Sequence, residues 1–251
     1  MNNIDCIYIL NLKKERSRLK QTLMLLADEE IYIPIKIFQG IYWDSDYFKK
    51  IKNKIIFPSQ LWEEKNGDKL KIGQLSCCYS HINLLKDAYK NKYNNILLLQ
   101  DDVYCENIGE LKYEIDKYHN LIKKYNDFDL YYLGRLKMTN ENEEKFKDTD
   151  FLVPKYSWNA HSVIFSRNCI EKLLNTQICN NIIPFDEFLP LCYGYSECKN
   201  HNYYSNLFPK IINAVSSDTY TKIYQVTYES SRYKKFIDQY SLTDISNSNF
   251  I

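Results

Sequence analysis

Ile96-Leu97-Leu98-Leu99 is a run of four apolar residues cut off by Gln100-Asp101-Asp102. A strand with one wet face alternates apolar and polar side chains. A strand apolar at every position needs cover on both faces. Cys6-Ile7-Tyr8-Ile9-Leu10 reads the same way, as does Phe128 to Leu133, which Gly134 closes. Ile33 to Phe38, ended by Gly40, and Ala160 to Phe165 are further strands. Helical spacing separates them: Leu19, Leu23 and Leu26 in one segment, then Leu75, Cys78, Ile82, Leu85 and Tyr89 after Gly73. Residues 108–125 read as helix. Ser166 is placed to cap another that runs to Asn175, and a short helix from Phe185 to Leu191 follows Pro184. Trp43 to Lys71 reads as loop with short elements, Glu141 to Asp150 as a solvated loop, and Leu207 to Val215 as a last strand. The alternation predicts an α/β class with a mostly parallel sheet flanked by helices. Such sheets bind ligands beyond the carboxyl ends of their strands. Two polar clusters lie at such ends, Asn11 to Arg18 and Gln100 to Asp102.

At 251 residues the chain has room for one large domain. With 45% hydrophobic and 26% charged residues, it is not a disordered chain. Lysine and arginine number 33 against 32 acids, a net charge of +1, which argues against nucleic acid or an anionic membrane as partner. No apolar stretch approaches bilayer length, and Met1-Asn2-Asn3-Ile4-Asp5 lacks the pattern of a secretory leader. A cytoplasmic location is therefore expected. The eight cysteines form no CxxC pair and are read as reduced, mostly buried thiols.

Adjacent carboxylates beyond a buried strand repel each other unless a cation or donors offset them. Asp101 and Asp102 present hard oxygens of the kind that hold a divalent cation. Three literal Asp-x-Asp pairs also occur: Asp44 with Asp46, Asp127 with Asp129, and Asp148 with Asp150. None follows a buried strand, so all three are set aside as metal sites.

Four features together resemble glycosyltransferase family 25, the lipooligosaccharide and collagen galactosyltransferase group. The first is Ile7-Tyr8-Ile9-Leu10-Asn11-Leu12 with Arg18 seven residues after the asparagine. The second is Gly73-Gln74-Leu75-Ser76-Cys77-Cys78-Tyr79-Ser80-His81. The third is the apolar strand ending in Gln100-Asp101-Asp102-Val103. The fourth is Asp129 to Gly134, then Asn159-Ala160-His161-Ser162-Val163-Ile164-Phe165-Ser166-Arg167, then Pro184-Phe185-Asp186.

The resemblance implies a GT-A-like (Rossmann-like) domain over residues 1–215, with 216–251 as an extension on or beside it. It implies a UDP-hexose donor (galactose or glucose), Mn²⁺ or Mg²⁺, inversion at the anomeric carbon, and a glycan or hydroxylysine-type acceptor. By resemblance, Asp102 is the direct metal ligand and Asp101 binds ribose or a metal-bound water. Asn11, Arg18, Ser80 and His81 face the donor. Asp186 is the candidate base, with Glu187 as the nearby alternative. Gln74 and Gln100 stand where the family usually has glutamate, and Ser76 where it has a second glycine. A catalytically inactive relative that binds sugar or assembles with partners is the alternative reading.

Overall fold

The computed structural model describes residues 3–55, 62–63, 71–217 and 223–225. The chain order is β1 (Cys6–Asn11), α1 (Arg16–Asp28), β2 (Ile35–Gln39), α2 (Asp46–Ile55), α3 (Ile72–Lys90), β3 (Asn95–Gln100), β4 (Val103–Cys105), α4 (Glu110–Lys124), β5 (Leu130–Lys137), β6 (Glu144–Lys145), β7 (Leu152–Val153), β8 (Ser157–Ser166), α5 (Arg167–Leu174), a 3₁₀ turn (Gln177–Cys179), α6 (Phe185–Tyr193), α7 (His201–Leu207), β9 (Ala214–Ser216) and β10 (Ile223–Gln225).

Eight strands form one sheet in the order β2-β1-β3-β8-β5-β9-β7-β6. The mostly parallel α/β sheet with flanking helices expected from the sequence is present. Only β8 and β7 oppose the other strands. β8 is antiparallel for a simple reason. A parallel return needs a crossover, and the chain between β5 and β8 contains only the short β6 and β7.

The pleat divides the apolar strands between two cores. Ile96 and Leu98 of β3, with Tyr8 and Leu10 of β1, face α3, α5 and α6. Leu97 and Leu99, with Ile7 and Ile9, face the α1 and α4 side. All four β3 residues are completely buried, as the unbroken apolar run requires. Ser166 caps α5 as expected, its Oγ accepting from the Cys169 N–H at 3.0 Å.

Several sequence readings need correction. The stretch from Trp43, read as loop with short elements, contains one such element, the ten-residue helix α2. Residues 56–61 and 64–70 of that stretch lie outside the described residues. β5 continues past Gly134 to Lys137, with register irregularities against β8 around the glycine. The solvated loop holds the two-residue strand β6, paired with β7. Leu207 ends α7 rather than opening a strand, and only Ala214–Ser216 pairs into the sheet. Of the extension expected over 216–251, residues 218–222 and 226–251 lie outside the described residues.

Among the described residues no helix is long and apolar enough to cross a membrane. All eight cysteines are free thiols.

Candidate active site

β1 lies between β2 and β3, so the chain's progress across the sheet reverses beside it. A cleft opens at the carboxyl ends of strands at such a point. The parallel register sets Leu10 against Gln100. The next residue on each strand, Asn11 and Asp101, therefore meets across the strand tips. Asn11 Nδ2 donates to Asp101 Oδ2 at 2.6 Å and to the Glu15 carbonyl at 2.9 Å. Arg18, in the first turn of α1, brings Nη1 to 3.6 Å from Asp101 Oδ1 and 3.8 Å from Asp102 Oδ2. One turn later Thr22 Oγ1 donates to the Asp101 carbonyl at 3.1 Å. Asn11, Arg18, Asp101 and Asp102 are all buried.

Two carboxylates thus face one guanidinium. Burial, then the charge of Asp102, pushes Asp101 up to about 7, against the pull of Arg18 and Asn11. Burial also raises Asp102. Asp102 Oδ2 accepts from Gln225 Nε2 at 3.1 Å. Asp102 Oδ1 is buried and has no hydrogen-bond partner among the described residues. A bare, buried carboxylate oxygen in a net-negative cleft fits a divalent cation. Asp102 and Asp101 are the residues that would hold it. Among the described residues no third His, Cys, Asp or Glu joins them in a metal cluster. The two carboxylates suit a hard cation whose other positions are filled by phosphate and water oxygens.

The pair makes the metal-free protein sensitive to pH. A carboxyl raised from 3.8 unfolded to about 7 folded keeps its proton longer in the native state. The native state then binds more protons between those values, so stability falls as pH rises through that window. Urea unfolding in a chelator should show this decline, and Asp102→Asn should flatten it. A stability that rises over the same window would contradict the electrostatic assignment.

α3 forms a second wall. Its first turn is closed by Gln74, whose Oε1 accepts the Lys71 N–H at 2.8 Å. Glutamine does here what glutamate does at that capping position. Ser80 lines the cleft, but its hydroxyl is committed. It accepts from the Ile41 N–H at 2.8 Å and donates to the Ser76 carbonyl at 2.7 Å. Ser80 therefore pins the Gly40–Ile41 segment beside the cleft. His81 is fully buried, held neutral with its imidazole pushed down to about 4 by burial. Its Nδ1 sits 2.9 Å from the Cys77 carbonyl and its ring stacks on Phe185 at 4.3 Å. His81 is thus a structural member of the wall.

The cleft bounded by Asn11, Arg18, Cys77, Ser80, Asp101 and Asp102 has a volume of about 120 Å³. A wider cavity of about 340 Å³ adjoins it along Leu12, Lys14, Gly40, Ile41 and Tyr42. There the Lys14 ammonium lies 4.1 Å from the centre of the Tyr42 ring.

Asp186 is half-buried in the first turn of α6, where the helix dipole favours a carboxylate. Burial, then Asp186, Asp102 and Asp101 in turn, raise the Cys77 thiol to about 12. All three carboxylates therefore act on one cleft-lining atom, and Cys77 is too weakly acidic to serve as a nucleophile. Glu187 points elsewhere. Its Oε1 accepts from Tyr156 Oη at 2.6 Å and Trp158 Nε1 at 2.8 Å. Five of the six set-aside aspartates lie in ion pairs: Asp44 with Lys49, Asp127 with Lys147, Asp129 with Lys172, Asp148 with Lys124 and Asp150 with Lys145.

Sequence reasoning missed β10. It pairs antiparallel with β4, immediately after the acidic pair. His161 Nε2 donates to the Ile223 carbonyl at 3.2 Å, and Gly134 lets that carbonyl approach. A Cβ at Gly134 would sit 2.6 Å from both His161 Nε2 and the Ile223 oxygen. Gly134→Ala should therefore cost about 1–3 kcal/mol of stability by overpacking. It should also speed amide hydrogen exchange in β10. Wild-type values for both would remove the close approach as a requirement. Nothing in the sequence linked Gln225 to Asp102, 123 residues away.

A family profile described as glycosyltransferase family 25 (LPS biosynthesis protein) matches residues 4–239. The chain belongs to glycosyltransferase family 25. Among curated relatives, procollagen galactosyltransferase 1-B of Xenopus laevis is 27% identical, over 76% of this chain and 31% of its own length. A family 25 member of Drosophila melanogaster is 23% identical, over 83% of this chain and 33% of its own length. A procollagen lysyl hydroxylase and glycosyltransferase of Acanthamoeba polyphaga mimivirus is 26% identical, over 85% and 25%. This family 25 chain thus spans about a third or less of these relatives. Among solved structures, the glycosyltransferase GlyE of Streptococcus pneumoniae has a TM-score of 0.45 at 12% identity, covering 96% of this chain and 61% of that one. A Drosophila galactosyltransferase crystallised with manganese, UDP-Gal and xylobiose has a TM-score of 0.41 at 8% identity, covering 92% and 73%.

Proposed function

We propose that this family 25 chain transfers a hexose, galactose or glucose, from a UDP-sugar to a hydroxyl of a glycan or a hydroxylysine-type acceptor, with inversion. The observation that carries the reading is the bare Asp102 Oδ1 in a buried cleft where two carboxylates face one arginine. Mn²⁺ or Mg²⁺ bound there supplies positive charge to the diphosphate as it departs. Arg18 adds its guanidinium, a donor fork suited to phosphate oxygens. Asn11 and Thr22 hold Asp101 in place, and Ser80 holds the adjoining Gly40–Ile41 segment. The wider cavity beside Tyr42 and Lys14 takes the nucleoside.

Asp186 accepts the proton of the acceptor hydroxyl. The acceptor oxygen forms its bond to the anomeric carbon as the bond from that carbon to the UDP oxygen breaks. The electron pair leaves with UDP. Attack from the face opposite the leaving group inverts the centre.

Thermal-shift screening of UDP-sugars with and without Mn²⁺ tests the binding half, because a ligand specific to the native state raises the melting temperature. UDP release from the best binder tests turnover. The expected outcome is metal-dependent stabilisation by one UDP-hexose, followed by release of UDP. Binding without release would favour the inactive, sugar-binding relative. No response to any UDP-sugar would sink both.

A further inference from the structure

A string of side-chain amides runs from α3 to the acidic pair. His81 Nδ1 faces the Cys77 carbonyl, which can only accept, so the proton sits on Nδ1. Nε2 of the neutral ring must then accept. Gln100 Nε2 lies 3.2 Å from it and supplies that donor. The same amide turns its Oε1 the other way and accepts from Gln225 Nε2 at 3.0 Å. Gln225 Nε2 donates its second hydrogen to Asp102 Oδ2 at 3.1 Å. Every donor in the series meets an acceptor, and the direction of each bond dictates the next.

We infer that Gln100 is a positioning residue: its amide joins His81 on α3 to Gln225 on β10, and so aims the donor that holds Asp102. The inference rests on the reading of Asp102 as a cation ligand. Holding Oδ2 by Gln225 leaves Oδ1 as the bare oxygen, so the series selects which oxygen meets the cation.

A carboxylate in place of the Gln100 amide cannot perform the same task unaided. It still accepts from Gln225, but it has no hydrogen for His81 Nε2. Two lone pairs would face each other in a buried site, and the contact survives only by taking up a proton. The groups packed around His81 are Cys77 on its own helix, Phe185 of α6, with Asp186 beside it, and Gln100 of β3, with Asp101 and Asp102 beyond it. Neutral glutamine thus matches a neutral histidine.

The test uses Gln100→Glu, Gln100→Ala, Gln225→Ala and the double alanine variant, all in the full chain. Imidazole ¹⁵N NMR reads the first link. In the wild type His81 stays in the neutral Nδ1–H form between about pH 5 and pH 8. In Gln100→Glu and Gln100→Ala, Nε2 loses the hydrogen donated by the amide, and its resonance shifts from the wild-type position. Calorimetric Mn²⁺ binding reads the second link. Each alanine variant weakens Mn²⁺ on the order of tenfold, and the double variant is no weaker than either, because both cut one series. The inference fails if the His81 Nε2 resonance stays unshifted in both position-100 variants, or if the two alanine effects multiply. Wild-type protein that binds no Mn²⁺ would instead sink the cation reading, while the His81 measurement still tests the relay.

Discussion

Asp102→Ala should lower UDP release from the preferred UDP-hexose by at least about 10²–10³-fold, the usual cost of removing one stabiliser of developing charge. The loss should be larger in kcat than in donor KM, since the leaving diphosphate carries more charge in the transition state than in the bound substrate. Calorimetry should find Mn²⁺ affinity reduced in parallel. The same variant, or Asp102→Asn, should stabilise the metal-free protein at neutral pH. With Asp102 uncharged, Asp101 loses its largest repulsive neighbour and keeps Arg18 and Asn11. A gain in apo stability together with a loss of turnover is the mark of a strained ligand site; a simple structural role would lower both. Full activity in Asp102→Ala would falsify the metal assignment.

Asp186→Asn should lower kcat by about 10²–10⁴-fold, the span associated with a general base. Donor KM and Mn²⁺ affinity should change little, because the cleft proposed for the donor lies on the β1, β3 and α3 side. The isosteric amide keeps its place in the first turn of α6 but gives up the favourable dipole interaction, so a loss of only about 0.3–1 kcal/mol of stability is expected. Glu187→Gln provides the control. Its carboxylate already serves Tyr156 and Trp158, so the expected effect is on unfolding rather than on kcat. Inverted results, with Glu187→Gln inactive and Asp186→Asn active, would transfer the role of base to Glu187.

The position of the acidic pair follows from adjacent residues alone. Four apolar side chains in succession demand a strand covered on both faces, and the carboxylates that end it must then lie at a strand tip. That reasoning set Asp101 and Asp102 apart from the three Asp-x-Asp pairs, five of whose six aspartates form ion pairs with lysines. It also placed α3 with Ser80 and His81 on one helix, because 3.6-residue periodicity is a local property. What the sequence could not convey depended on partners far apart in the chain. Asn11 and Arg18 were expected to face the donor; their geometry also binds them to Asp101 and Asp102, which only the β1–β3 register and the return of α1 bring within reach. The antiparallel course of β8 was set by the absence of a crossover helix, a fact about connection rather than composition. The placement of Gln225 on Asp102 arises because Gly134 lacks a side chain and His161 offers a donor. A close approach between distant segments leaves no periodic trace in either of them. Local patterning therefore determined which residues sit at strand ends, and tertiary packing decided which hydrogen bonds leave one carboxylate oxygen bare.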